Sequence, residues 1–260
     1  MHTPIIPTEA AHRDAAARSM AYQKLSSLFF YPAGTRPLGS LLQETTLALR
    51  ENFALLPYAV ADAADLIDGM EADLAKIENG PLALSDIFTA LFDNCKGRAA
   101  VSLYEKEYGN GDAKVIWEET IRFYEHFGLD FDVRKTRDWP DHIGTELEFM
   151  HYLTYLEATS AEDDSGETYR HAQGDFLVRH LARWAPRFSA QLERMADNAP
   201  FGGFARLVVA FIDADREYLG RSSEPGPQWI PQRESQTGAA PGKWIPIVEA
   251  STLEKFTFQD

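Results

Sequence analysis

The stretch 138–153, DWPDHIGTELEFMHYL, begins like a capped helix and continues as an amphipathic one. Asp138 or Asp141 is placed to accept backbone hydrogen bonds at the helix N-terminus, and Pro140 suits a position at or just before the first turn. The apolar residues that follow recur at helical spacing. The stretch therefore predicts a helix over residues 141–158.

This predicted helix carries two pairs of polar residues that are candidate metal ligands. At about 100° per residue, the apolar side chains fill one side of the helix, and His142 and Glu146 lie within that side. Glu148 and His151 have the E-x-x-H spacing of carboxylate-bridged metal sites. The same helical wheel places both of them outside the apolar side, so we expect Glu148 and His151 to face solvent and predict no di-metal site.

The inward pair, His142 and Glu146, allows more than one interpretation. Side chains four residues apart on a helix can form a hydrogen-bonded ion pair or bind a single metal ion. A structural pair at a helix junction needs a partner for its buried charge, and Arg134, Lys135 or Arg137 is close enough in sequence to supply one. The alternative is a metal- or nucleotide-dependent enzyme that uses His142 and Glu146.

Helical periodicity extends through most of the chain, and strand-like alternation is nearly absent. An all-α fold is therefore predicted. A further short helix is predicted after Ser85. Asp112 is the expected N-cap of the helix 113–127, and Pro186 is expected to break or kink the helix 168–195. The predicted helices cover residues 14–30, 38–56, 59–78, 113–127, 141–158, 168–195 and 201–219.

The predicted organisation is a flexible N-terminus (1–13), one helical domain (14–219) and an extended tail (220–260). The helical domain divides into halves of about 14–111 and 112–219. Five of the chain's 14 prolines lie in the tail, which also repeats the motif W-I-P. Prolines at this density prevent long helices, so we expect an irregular tail that packs back on the helical body. Docking of the tail on a partner and disorder are the other possibilities.

Composition excludes several classes of partner and compartment. The chain has 25 Lys and Arg against 40 Asp and Glu, a net charge of −15 that repels nucleic acids and anionic membranes and attracts basic partners. Solubility is the simpler explanation of the same acidity. No apolar run approaches the roughly 20 residues that span a bilayer, and the N-terminus lacks the pattern of a secretory signal. Cys95 is the only cysteine, so no disulfide can form within the chain, which fits a reducing compartment. We therefore expect a soluble, cytoplasmic protein.

Sequence motifs of catalytic sites are absent from the chain. It contains no G-x-S-x-G, no Walker A sequence, no G-x-G-x-x-G and no C-x-x-C. No catalytic residue is predicted, and the motifs do not support an enzyme.

Several segments resemble the TorD/DmsD/NarJ family of redox-enzyme maturation chaperones. PDHIGTELEFMHYL resembles the D-H motif of that family, LFDNCKGRAAVSLYEKEYG (91–109) is similar to its aromatic-acidic segment, and FLVRHLARWAPRF (176–188) is similar to its F-L-x-x-H-L-x-x-W-x-P-x-F helix. With LFFYP (28–32), the resemblance covers about residues 14–219. It is closest to the branch that serves type II enzymes of the DMSO reductase family, which include dimethylsulfide, ethylbenzene, chlorate and selenate enzymes.

The D-H motif of this chain departs from the commoner family form. That form is E-P-x-D-H, whereas residues 138–142 read D-W-P-D-H. Asp141 and His142 match the family pattern, but Trp139 stands at the usual proline and Pro140 follows one place later. The departure concerns the local geometry before the helix and leaves the D-H pair itself in place.

The resemblance implies an all-α, TorD-like multi-helix bundle that acts as a cytoplasmic chaperone and not as an enzyme. Such chaperones bind the apo catalytic subunit of a molybdoenzyme, often with its twin-arginine leader peptide. They hold it until the molybdopterin guanine dinucleotide cofactor is inserted and before export. For the chaperone itself, no cofactor, no metal ion, no nucleic acid and no membrane insertion are expected. A monomer and a domain-swapped dimer both remain open.

The resemblance also implies where such a client binds. A leader with two arginines and an apolar helix needs an apolar groove edged with carboxylates. Asp141 and His142 are expected to organise the junction between the two halves and to border this groove, with core packing as the other explanation. The remaining candidate client-binding residues are Trp139, Glu146, Tyr104, Glu105, Tyr108, His180 and Trp184, with Phe176, Glu107 and Asp138 beside them.

Overall fold

Nine α-helices and two short 3-10 helices make up the described part of the chain. The computed structural model describes residues 9–30, 37–78, 84–93, 99–109, 111–131, 138–160, 165–195 and 199–222. The α-helices are α1 (Glu9–Ser26), α2 (Leu38–Phe53), α3 (Ala63–Glu78), α4 (Leu84–Phe92), α5 (Ala113–His126), α6 (Ile143–Thr159), α7 (Ser165–Arg179), α8 (Leu181–Glu193) and α9 (Phe201–Ser222); the 3-10 helices are Ser27–Phe29 and Glu105–Glu107. No β-strand occurs in these ranges, and the all-α prediction is confirmed.

Helix α6 lies at the centre of the bundle. Residues 140–150 are all buried, and α6 packs most extensively against α1 and next against α7. Phe149 is in edge-to-face contact with Tyr124 of α5 and Phe176 of α7, with both centroid distances at 4.8 Å. Because helices surround α6 on several sides, its polar residues are enclosed together with its apolar ones.

A buried ionic network joins α1, α6 and α9. Arg18 is fully buried, and its Nε and Nη2 donate to the two carboxylate oxygens of Asp215 at 2.5 and 3.0 Å. Its Nη1 donates to Glu157 at 2.9 Å. The hydroxyls of Tyr22 and Tyr58 donate to the same Asp215 carboxylate, each at 2.6 Å. This pairing offsets the large desolvation cost of burying charged groups.

The helix starts agree only in part with the predictions. Asp112 caps α5 as expected, because its Oδ1 accepts a hydrogen bond from the Lys114 amide at 2.9 Å. Helix α6 is capped by His142 and by neither of the preceding aspartates. Helix α1 begins at Glu9, so residues 9–13, predicted as part of a flexible N-terminus, are helical.

The helix predicted over 168–195 is two helices, and the break is not at the proline. It lies at His180, whose backbone (φ −120°, ψ −98°) leaves the helical region between α7 and α8. Pro186 is accommodated within α8, where it is exposed. The side chain of His180 contacts buried Glu105, a tertiary interaction that the local pattern does not reveal.

Parts of the sequence-based predictions lie outside the described residues. Helix α9 continues to Ser222, and the rest of the predicted tail is not among the described ranges. The same holds for Arg134, Lys135 and Arg137, the proposed partners of the inward pair. None of the described helices is long and apolar enough to cross a membrane.

Candidate functional site

Two segments that are distant in sequence meet at the start of α6. We call residues 103–108 and 138–146 together the junction. Their backbones pair in antiparallel fashion. Two hydrogen bonds of 2.9 Å join them, from the amide of Glu105 to the carbonyl of Asp141 and from the amide of Ile143 to the carbonyl of Leu103.

Asp141 holds the junction together from a buried position. Its Oδ1 accepts from the indole N–H of Trp117 at 2.7 Å, and its Oδ2 accepts from the backbone N–H of Lys106 at 3.0 Å. Burial raises the pKa of Asp141, while these two hydrogen bonds act in the opposite direction because they favour the ionised form. The carboxylate thus ties the start of α6 to α5 and to the 3-10 helix at Glu105–Glu107.

His142 acts as a neutral cap that is buried against Phe30. Its Nδ1 accepts from the amide of Gly144 at 3.1 Å, and its ring stacks on Phe30 with centroids 5.1 Å apart. A Cβ added to Gly144 would lie 2.5 Å from the Phe30 ring, so glycine permits this close approach. Burial lowers the pKa of His142, opposed by the carboxylate of Asp138. A neutral ring is what an accepting Nδ1 requires.

A lysine ammonium lies beside three aromatic rings at the surface of the junction. Trp117 and Trp139 stack face to face, with centroids 4.1 Å apart and planes at 8°. The Nζ of Lys106 lies 4.8 Å from the Trp117 ring, 5.1 Å from the Trp139 ring and 5.2 Å from the Tyr104 ring. Asp138 accepts from the Tyr104 hydroxyl at 2.7 Å and fixes that ring. We call these three rings the aromatic cage.

A second cluster lies beneath the junction, inside the core. Nδ1 of His180 is 2.8 Å from Oε2 of Glu105, and the indole N–H of Trp184 donates to Oε2 of Glu146 at 3.0 Å. Burial, reinforced by the Glu105 carboxylate, raises the pKa of Glu146 well above its ordinary value, while the Trp184 hydrogen bond opposes the rise. We call Glu105, Glu146 and His180 the buried triad.

His142 and Glu146 are both buried as predicted, but their side chains have different neighbours. His142 faces Phe30 and Asp138, whereas Glu146 belongs to the buried triad. The two are connected only through the helical backbone, from the amide of Glu146 to the carbonyl of His142 at 2.9 Å. The structure therefore contains neither the predicted ion pair nor a site that uses both side chains.

The prediction that Glu148 and His151 face solvent is wrong. Glu148 is only 5% exposed, and Nδ1 of His151 lies 2.9 Å from the carbonyl oxygen of Ser19 on α1. The helical wheel assumed one buried side, but α6 is enclosed by neighbouring helices. Among the described residues, neither side chain belongs to a group of three or more potential metal ligands.

The candidate client-binding residues divide into surface and core groups. Trp139 is 39% exposed, Tyr104 and Asp138 are half-buried, and Glu107 is exposed. The structure places the remaining candidates in the core, where they pack and do not line a groove: Glu105, Tyr108, Asp141, His142, Glu146, Phe176, His180 and Trp184.

Three residues of the site were not singled out from the sequence. Trp117 and Lys106 complete the aromatic cage, and Phe30 covers His142. Trp117 sits on the amphipathic helix α5, where an aromatic residue predicts burial and not a stacking partner. Only the tertiary pairing of residues 103–108 with the start of α6 brings these side chains together.

Proteins similar to this chain are assembly chaperones. Residues 54–190 match the family described as the nitrate reductase delta subunit. The selenate reductase assembly chaperone protein of Thauera selenatis is 36% identical over 138 residues, which are 52% of this chain and 70% of that protein. The chlorate reductase assembly chaperone protein of Ideonella dechloratans is 34% identical over 138 residues, 51% of this chain and 68% of that protein. Chaperone protein TorD of Shewanella piezotolerans is 23% identical over 225 residues, 83% of this chain and 98% of that protein. No solved structure matches the chain.

Proposed function

Because the chain belongs to the nitrate reductase delta subunit family, and its relatives are named as reductase assembly chaperones, we propose that it is an assembly chaperone for a molybdoenzyme. The family membership agrees with the D-H motif of residues 141–142. The chain is a binding protein and not an enzyme, so the metal- or nucleotide-dependent enzyme built on His142 and Glu146 is not supported. Its client is the apo catalytic subunit of a reductase of the DMSO reductase family.

The aromatic cage is the observation that carries the proposed contact with the client. A cation over the face of an aromatic ring gains about 0.5–2 kcal/mol, depending on its desolvation. In this structure the cation is the chain's own Lys106, on a flexible side chain that can leave the cage. An arginine from the client can take its place, since a planar guanidinium stacks on aromatic rings more closely than an ammonium does. Asp138 and exposed Glu107 supply carboxylates beside the cage.

The expected source of this arginine is the twin-arginine leader of the client. The net charge of −15 attracts a basic segment over a distance and speeds its encounter with the cage. The chaperone would act in the cytoplasm, where the cofactor is inserted before the enzyme is exported. Binding of the leader at this stage would delay export until the catalytic subunit is complete.

Co-expression tests the proposal. The full-length chaperone carries a tag and is produced with the molybdoenzyme catalytic subunit encoded nearest to its gene, in cells that cannot make the molybdenum cofactor. We expect capture of the apo subunit by the tagged chaperone. Trp139→Ala removes one ring of the cage and should weaken capture several-fold.

The matched control is Tyr155→Ala, which removes an aromatic ring of similar exposure (38%) on α6, outside the junction. Both variants should unfold within a few degrees of the wild-type protein. A client without its leader should be captured less well. Equal capture with and without the leader would contradict the leader contact, and no capture of the intact subunit by the wild-type chaperone would contradict the proposed function.

A further inference from the structure

The buried triad brings three potential metal ligands together from three parts of the fold. Glu105 lies on the 3-10 helix of the junction, Glu146 on the first turn of α6, and His180 at the break between α7 and α8. The three residues are 5%, 0% and 1% exposed, respectively. One ligand atom from each residue lies within 4.8 Å of the other two.

The hydrogen bonds of the triad leave polar atoms without partners. The Trp184 indole donates to Oε2 of Glu146, and the His180 ring lies beside Glu105. The carboxyl groups of Glu105 and Glu146 also lie within hydrogen-bond reach of each other, a contact that raises the pKa of Glu146. Oε1 of Glu146 and Nε2 of His180 have no hydrogen-bond partner, although both are buried. A buried acceptor that has no hydrogen-bond donor lowers the stability of the fold, and a bound proton or cation at this site would remove that loss.

No cationic side chain of the described residues neutralises the two carboxylates. The His180 ring lies beside Glu105, and neither glutamate pairs with a lysine or an arginine in the described part of the chain. Two carboxylates beside one imidazole are a set of oxygen and nitrogen ligands that suits a divalent first-row metal ion. Trp184 would hold Glu146 in position through its hydrogen bond to the other carboxylate oxygen.

We propose that Glu105, Glu146 and His180 bind one divalent metal ion, with Zn²⁺ as the best match to this ligand set. The ion has a structural role: it links the 3-10 helix, α6 and the start of α8 directly beneath the aromatic cage. Among divalent ions, an imidazole ligand favours Zn²⁺ over Mg²⁺ or Ca²⁺, which prefer all-oxygen sites. The inference does not depend on the proposed function, because the three residues are buried in the chain itself and metal binding is measured without a client.

Metal binding by the full-length protein is the test. Protein stripped with a chelator is titrated with Zn²⁺ in a calorimeter, and Mg²⁺ serves as the comparison ion. We expect one Zn²⁺ per chain, a rise of several degrees in the thermal midpoint with excess Zn²⁺, and no comparable effect of Mg²⁺. Glu146→Gln and His180→Gln should each weaken Zn²⁺ binding at least tenfold, whereas Glu107→Gln, an exposed carboxylate on the same 3-10 helix, should leave it unchanged.

X-ray absorption of the wild-type protein with one equivalent of Zn²⁺ keeps the proposal testable if a variant fails to fold. The expected ligands are one imidazole nitrogen together with carboxylate oxygens. A sulfur ligand would place the ion at Cys95 and overturn the proposal. The proposal would also be overturned if the wild-type protein did not bind Zn²⁺, or if Glu146→Gln and His180→Gln bound it unchanged. The partner of the two carboxylates would then be a proton.

Discussion

Trp139 shows how one residue changes the surface of the junction. The commoner family motif has a proline at this position, which has no aromatic ring to stack. Here the Trp139 ring stacks face to face on the Trp117 ring, with centroids 4.1 Å apart, and the Nζ of Lys106 lies 5.1 Å from the Trp139 centroid. The departure from the motif was visible in the sequence, but its stacking partner was not, because Trp117 belongs to a different helix. Asp141 and His142, which match the motif, are buried and act by positioning this surface.

The lowered pKa of buried His151 leads us to expect a loss of stability in mild acid. Burial lowers the pKa of His151 from 6.5 to about 4. Between these two pH values the unfolded chain binds a proton that the folded chain does not, so the free energy of unfolding falls by up to ~1.4 kcal/mol per pH unit. The contribution is fully present above about pH 6.5 and is lost progressively as the pH falls towards 4.

Urea unfolding of the wild-type protein and of His151→Gln at pH 7 and pH 5 measures this effect. Acidification should cost the variant roughly 1–2 kcal/mol less than it costs the wild-type protein. A glutamine does not titrate, and it keeps a side-chain amide that can face the Ser19 carbonyl. The same loss in both proteins would rule out His151 as the source.

At the scale of elements, we expect the stability of the junction to depend more on the hydrogen bonds of Asp141 than on a helix N-cap such as Asp112. One carboxylate accepts hydrogen bonds from α5, through Trp117, and from the 3-10 helix, through the amide of Lys106. In Asp141→Asn, the amide nitrogen must face one of these two donors, and that donor loses its acceptor. We expect a loss of about 1–3 kcal/mol in unfolding free energy, together with a changed tryptophan fluorescence.

Asp112→Asn is the matched control for Asp141→Asn. Asp112 is exposed and caps α5, and asparagine is an equally good N-cap residue, so this change should alter stability by only a few tenths of a kcal/mol. Chemical denaturation of both variants gives the comparison. If the two substitutions have equal effects, Asp141 does not hold the junction together.

On the scale of the whole molecule, Arg18 joins helices that are far apart in sequence. It connects α1 to α6 through Glu157 and to α9 through Asp215. Arg18→Met leaves the Asp215 carboxylate buried without its counter-ion, whereas Glu157 keeps its ion pair with Arg170. We therefore expect a loss of about 3–5 kcal/mol in unfolding free energy, most of it from Asp215. Arg216→Met, which removes an exposed pair with Asp213 on α9, should cost no more than about 1 kcal/mol. An Arg18 variant as stable as the Arg216 variant would show that the network is dispensable.

The predictions that held were those that depend on local chemistry. Asp112 caps α5 because its side chain accepts a hydrogen bond from an amide two residues later. The same local reasoning failed at α6, where His142 and neither aspartate is the cap. The burial of Glu148 and the break at His180 depend instead on neighbours that are remote in sequence. A helical wheel measures the polarity of one helix alone, so it fails for a helix such as α6 that others enclose.

The sequence by itself determined the all-α fold, most of the helix positions and the D-H motif of the chaperone family. These features depend on helical periodicity and short motifs, which involve only residues that are close together in the sequence. Only the tertiary structure decided which polar residues meet. It separated His142 from Glu146, brought Glu105 to His180, and set Lys106 beside the stacked rings of Trp117 and Trp139. The physical reason is that these contacts join side chains from different helices, and their geometry arises only when α6 is packed at the centre of the bundle.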